Sequence, residues 1–359
     1  MNQPSDAALP RDGAPKDAAP SPRHREAIPS TEARPTLASR AVSTVLSPDS
    51  SLLLIIVMLT LIAIFAVLLR DTAFLSVDNF MNILKGKTPL IVMAIATVFV
   101  ICAGEIDLSV ASVPPVAGIL AATLLSHDYS VGIAVAAALG AGVVIGLTNG
   151  LITVKLGIPS FIVTLGMIGV LQGVARLISG EQAVPILNRT YTQIFGQGSI
   201  GPIPSLLAWT IVVAVIGAVV LRATPFGKAV LATGGNEVAA RYSGIATGRI
   251  KITVLVLSSL SGALAGLLYT GQFASGRYDL GGNDLLPTLA AVIIGGTSLA
   301  GGRGSVEGAI AGALLVGLVS NGVILLGFST PQQQIFSGMI IVLAVALSGR
   351  RIAQLRALQ

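Results

Sequence analysis

Glu105 and Asp107 stand in the stretch Glu105-Ile106-Asp107-Leu108-Ser109, with strongly apolar sequence before and after it. A charge at the centre of a membrane helix costs at least about 2.5–3.5 kcal/mol. These carboxylates must therefore face water, a partner or a helix end. Asp107 and Ser109 are placed to cap the apolar segment that follows, where the first backbone N–H groups lack partners. The same residues could instead contact a substrate, gate its path, or carry one step of a proton relay. A relay would need Asp, Glu and His groups through successive apolar runs. The histidines are His24, near the N-terminus, and His127, in a short connection. Thr97, Asn149, Thr164 and Asn321 are polar residues inside apolar runs, and join Asp107 and Ser109 as candidates to line a path.

Other apparent motifs fail on spacing or setting. Gly86-Lys87-Thr88 resembles the end of a phosphate-binding loop, but that motif needs glycine where Met81 stands. Gly302-Arg303-Gly304 with Gly308 resembles a dinucleotide loop without the strand that must precede it. No metal-ligand cluster, nucleophile triad or cofactor motif is visible, so no catalytic residue is assigned and ATP hydrolysis would reside elsewhere. The single cysteine, Cys102, excludes an internal disulfide and reads as a small buried hydrophobe. Arg277, Asp279 and Asp284 form either a solvated loop with an Asp–Arg pair or a contact for an external protein.

The stretch Arg222–Lys251 carries five basic residues, Arg222, Lys228, Arg241, Arg249 and Lys251, between two long apolar runs. It is too polar to cross a bilayer. Gly234-Gly235 interrupts it, and Asn236 is a good N-cap for a short helix over Glu237–Tyr242. Glu237 and Arg241 stand at i, i+4. Such a capped basic helix is suited to presentation to a cytoplasmic partner.

The elements that must position these groups follow from composition. Of 359 residues, 53% are hydrophobic and only 11% charged, and mean hydropathy is +0.86. No soluble domain hides so much apolar surface, so an all-helical polytopic membrane protein is expected. The net charge of +6 sorts by side of the membrane, which argues against nucleic acid. Residues 1–50 hold eight of the 18 prolines and no apolar periodicity, and read as a disordered cytoplasmic tail. Residues 51–349 form the membrane domain and 350–359 a second cytoplasmic tail.

Ten spans are expected: Leu52–Leu69, Leu90–Ala103, Val110–Leu125, Val131–Val154, Phe161–Ile178, Leu206–Leu221, Ile252–Phe273, Leu285–Leu299, Val306–Leu326 and Ile335–Leu347. With both termini inside, only Arg70, Lys85, Lys87, Arg176, Arg189 and Arg277 fall outside, as the positive-inside rule requires. The outer loop Ser179–Ser205 would be an external gate or docking surface. Pro89–Ser112 and Leu286–Ser305 each begin with an apolar run, break at glycine and resume as a small-residue span. Such pairs point to an inverted repeat of interrupted helices with the substrate path nearby. The alternative is two ordinary short helices joined by glycine turns.

Three stretches in this order, GEIDLSVAS (Gly104–Ser112), GGNEVAARYSGI (Gly234–Ile245) and LPTLAAVIIGGTSLAGGRGS (Leu286–Ser305), resemble the permease subunit of bacterial ABC sugar importers of the ribose/xylose/galactose type. The related branched-chain amino-acid permeases share the architecture. The resemblance covers roughly residues 50–349. It implies a permease pair, of one chain or two paralogues, in the bacterial inner membrane. Cytoplasmic ABC ATPase subunits and a periplasmic sugar-binding protein would complete the importer. It also implies that Gly235, Asn236, Glu237, Ala239, Ala240, Arg241, Ser243 and Gly244 form the coupling helix to the ATPase. The family usually has glycine where Glu105 stands, and often where Ala111 stands. Pro114-Pro115 is unusual inside a span and is expected to kink it. The alternatives are an ion-coupled secondary transporter and a structural or channel subunit.

Overall fold

The computed structural model describes residues 51–329, 331–336 and 338–339. The expected tails and most of the tenth span, Ile335–Leu347, lie outside the described residues. Twelve helices are numbered in chain order, α1 (Ser51–Leu68), α2 (Val77–Cys102), α3 (Val113–Ser126), α4 (Val131–Leu156), α5 (Ser160–Ser179), α6 (Arg189–Thr192), α7 (Ser205–Ala223), α8 (Pro225–Gly235), α9 (Glu237–Tyr242), α10 (Thr247–Phe273), α11 (Leu285–Ile294) and α12 (Val306–Leu325), and residues 331–336 are helical as well. Six of them, α2, α4, α5, α7, α10 and α12, are long and apolar enough to cross a membrane. Three apolar stretches are shorter: Leu54–Leu68, Val110–Ser126 and Leu285–Ile294.

Local chemistry sets the ends. Ser76, Ser130, Thr224 and Ser305 each accept a hydrogen bond from the third residue beyond, capping α2, α4, α8 and α12. Gly157 and Gly180, both at positive φ, close α4 and α5.

Two expectations about these spans are corrected. The second span is not short: α2 runs 26 residues, because Lys85-Gly86-Lys87 continue the helix instead of forming an outer loop. The stem of Lys87 packs over Gly317 of α12, which is how a lysine is accommodated there. Pro114-Pro115 does not kink a span. Both prolines fall in the first turn of α3, where no backbone N–H is needed. A single turn of 3₁₀ helix, Val110–Ser112, precedes them.

Helices α2 and α10 form the centre. In its most apolar stretch α2 is 72% buried and α10 56%, against 22% for α4, α5 and α7, whose Val144, Leu165 and Ile211 face outward. One apolar core gathers α2, α7, α8, α10, α11 and α12, and a second gathers α3, α4, α5 and part of α10. The most extensive seam is α4 on α10, where a Cβ on Gly146 would overlap the Val256 backbone.

The loop 179–205 is fastened down. Its strand β1 (Val184–Pro185) pairs antiparallel with β4 (Ser275–Gly276), and β2 (Ser199–Ile200) with β3 (Ile203–Pro204). Tyr191 is fully buried, with its hydroxyl 2.6 Å from Thr270 Oγ1, and Phe195 stacks on Trp209 at 5.5 Å.

Candidate functional site

The glycine break after α2 folds into a tight turn over Ala103–Ser109. The hydroxyl of Ser160 accepts from Ile106 N at 3.0 Å, and that of Thr164 from Leu108 N at 3.0 Å. Both acceptors lie in the first turns of α5, so that helix holds the turn by its backbone. Asp107 Oδ1 accepts from Ser109 N at 2.8 Å and from Ser109 Oγ at 2.7 Å. Ser109 Oγ in turn accepts from Asn149 Nδ2 of α4 at 3.0 Å. Asp107 thus closes the turn leading into the 3₁₀ segment; the Ser109 side chain makes no capping bond.

The structure brings together Asp107, Ser109, Asn149 and Thr164 and buries all four. Among the described residues, Asp107 Oδ2 and Asn149 Oδ1 make no hydrogen bond of ordinary geometry, although Ser258 of α10 and the Val110 backbone lie beside the Asp107 carboxyl. The other two candidates are engaged elsewhere. Thr97 Oγ1 donates to Met93 O within its own helix. Asn321 exchanges two amide hydrogen bonds with Asn79, at 3.0 and 2.9 Å, tying α12 to α2.

The second glycine break, residues 295–305, comes to the same place. Gly302 N donates to Cys102 O at 3.0 Å. The end of α8 is wedged between the two turns: a Cβ on Gly234 would overlap Cys102 O, and one on Gly302, at φ +74°, would press on Gly235. The two interrupted segments are therefore in direct contact, with the stretch leading to α9 between them.

Helix α9 has the expected bounds. Asn236 Oδ1 accepts from Ala239 N at 3.0 Å, and Arg241 lies 2.9 Å from Glu237 Oε1. Of the two small residues, Ala240 is buried within the chain itself and Ala239 is exposed. Glu237 also accepts from Thr247 Oγ1 at 3.2 Å and Lys251 Nζ at 2.8 Å. The hydrogen bond from Lys251 leads the causes that hold its carboxyl below its ordinary value of 4.5. Lys251 lies 2.8 Å from Glu105 Oε1 as well. Two groups not singled out from sequence stand out on α9: Val238 and Tyr242, 64% and 90% exposed and one helical turn apart. Their i, i+4 spacing in an otherwise polar loop was a usable signal. Nothing in the sequence pairs Lys251 with Glu105.

At the other end of α10 a cavity of about 520 Å³ is lined by Asn82, Lys85, Gln197, Ser199 and Gln272, among others. Nearby, Arg277 pairs with Asp279 at 2.6 Å, as a solvated loop would. Asp284 instead turns inward and accepts from the Tyr269 hydroxyl, and burial pushes its carboxyl above the ordinary range.

The family model described as branched-chain amino acid transport system / permease component matches residues 79–345. The chain belongs to this permease family. The ribose import permease protein RbsC of Escherichia coli (strain K12) is 36% identical over 303 residues, 83% of this chain and 93% of its own length. The L-arabinose ABC transporter permease protein AraH of Azospirillum brasilense is 35% identical over 307 residues, 85% and 89% of the two chains. RbsC of Bacillus subtilis (strain 168) is 33% identical over 293 residues, 81% and 91%. No solved structure matches the chain with significance. The matched region takes in the Asp107 turn, the glycine seam and α9, so everything assembled above belongs to the permease domain.

Proposed function

We propose that this permease is the membrane subunit of an ATP-driven importer. It would carry a monosaccharide of the ribose, xylose or galactose kind across the bacterial inner membrane by alternating access. It pairs with a second copy or a paralogue, receives the sugar from a periplasmic binding protein and is driven by cytoplasmic ABC ATPase subunits. Both termini are cytoplasmic. The observation that carries the reading is α9. Its cap, its ion pairs and buried Ala240 fix it to the bundle, while Val238 and Tyr242 project from it, largely uncovered among the described residues. Exposed apolar groups on a rigid short helix suit insertion into a partner's cleft. Residues 235–244 are then the coupling element. The two glycine turns that grip α8 are the related halves of an inverted repeat, and they receive its motion. Asp107, Ser109, Asn149 and Thr164 border the inner part of the path, and the amide-lined cavity near Lys85 its outer mouth.

The test is a permease with Val238→Ser and Tyr242→Ala. Binding of the partner ATPase should fall by at least tenfold, on the order of the loss expected for removing an aromatic anchor, with the unfolding midpoint unchanged. Retained binding would remove α9 from the coupling role. One observation favours the ion-coupled alternative: Asp107 is a carboxyl group buried among apolar helices with no ion-pair partner among the described residues. That reading requires uptake to follow a proton or sodium gradient.

A further inference from the structure

Resting on the coupling role of α9, we infer that Glu105 is a positioning residue. Through Lys251 it locks the Ala103–Ser109 turn to α9, so that displacement of α9 is delivered to the polar cluster around Asp107. Lys251 Nζ lies 2.8 Å from Glu105 Oε1 and 2.8 Å from Glu237 Oε2, bridging two carboxylates from segments more than a hundred residues apart. The Glu105 and Lys251 side chains are only 8% and 20% exposed, so solvent and salt screen this contact far less than a surface pair. Arg241 on the other oxygen of Glu237 brings the four charged groups to neutrality.

The geometry makes the bridge a strut. Lys251 lies in the second turn of α10, and Thr247 and Lys251 both hold Glu237, so α9 and the start of α10 move as one body. Glu105 lies two residues before Asp107. The turn between them is inextensible, because Ile106 and Leu108 are pinned to α5. A push on α9 therefore passes through Lys251 to Glu105, and on to Asp107, Ser109 and Asn149. The glycine seam at Gly234 transmits only contact pressure. The ion pair can also pull, which a cycle that must return α9 to its starting position requires.

The test uses proteoliposomes containing the permease with its partner ATPase and binding protein, and reads solute taken up per ATP hydrolysed. In Glu105→Ala, ATP hydrolysis and ATPase binding should persist while uptake per ATP falls on the order of tenfold, a typical coupling between sites. Lys251→Arg, which keeps a charged bridge, should retain coupling. Glu105→Ala with Lys251→Met should lose at least as much coupling as Glu105→Ala alone, because it also removes the Lys251–Glu237 bond. Purified without partners, Glu105→Ala should also speed amide exchange at Ile106 and Leu108 but not within α5. An unchanged uptake per ATP in Glu105→Ala overturns the proposal, as does a loss that merely follows a lowered unfolding midpoint. A wild-type complex whose uptake ignores ATP refutes the importer reading itself, and the strut with it.

Discussion

Alanine at Gly234 and alanine at Gly235 should have opposite consequences, although the residues are neighbours at the end of one helix. A methyl group on Gly234 would overlap the Cys102 carbonyl oxygen and press on Gly104 N, all backbone atoms that cannot rotate aside. Overpacking of this kind costs about 1–3 kcal/mol. Relief requires Cys102 to move from Gly302 N, and losing that 3.0 Å hydrogen bond adds about 1 kcal/mol. The expected loss for Gly234→Ala is thus about 2–4 kcal/mol. A methyl group on Gly235 meets only Gly302 Cα at 3.8 Å, an ordinary contact. Gly235 ends α8, so Gly235→Ala should be neutral or stabilising by up to about 1 kcal/mol. Equilibrium unfolding in mixed micelles, followed by Trp209 fluorescence and circular dichroism, measures both. Equal effects from the two substitutions, or an innocuous Gly234→Ala, would refute the claim that α8 is wedged between the two turns.

The Asn79–Asn321 exchange predicts non-additivity. Either Asn→Leu change should cost about 1–3 kcal/mol by stranding the partner amide, and the double variant less than the sum. The same unfolding assay measures this coupling. Acid should loosen α9 before the rest. The Glu237 carboxyl lies below its ordinary value of 4.5 in the folded chain, so its stabilisation is complete above that pH and is lost as pH falls through the lowered value. Asp284 has the opposite sign, since its raised value makes protonation favour the fold, so the loop before α11 should not loosen in the same window. Amide exchange corrected for intrinsic rates should show faster opening of α9 below about pH 4.5, and Glu237→Gln should abolish the pH dependence. Asn149→Leu should weaken the Ser109–Asp107 cluster and reduce uptake more than it reduces stability, as read by transport alongside unfolding midpoints.

What the sequence made legible was local. Asn236 announced α9 because an N-cap and its helix lie within three residues. Glycine announced both breaks, Gly104 alone and the pair Gly295-Gly296, because Gly104 and Gly296 take positive φ that other residues adopt only at a cost. The long second helix was hidden because Lys85 and Lys87 broke the apolar window, and only the packing of Lys87 over Gly317 explains their presence. Pro114-Pro115 misled because a hydropathy window does not mark where a helix begins, and a proline harmless in a first turn is disruptive inside. Asp107 and Ser109 were found as polar residues in an apolar setting, and Asn149 and Thr164 joined them in the fold. Thr97 and Asn321 satisfied the same rule and bond elsewhere, to Met93 and to Asn79. Polarity inside a span marks a hydrogen bond, and only the fold says with which partner. The Glu105–Lys251 pair lay beyond reach because contacts between distant segments leave no trace in spacing.

The most direct test of the account is sugar uptake into vesicles holding this permease with its ATPase and binding protein, with ATP inside the compartment that α9 faces and all ion gradients collapsed by ionophores. The account predicts monosaccharide uptake that requires ATP hydrolysis, survives the ionophores and disappears when Val238 and Tyr242 are replaced. Uptake that stops with the ionophores and proceeds without ATP would contradict it.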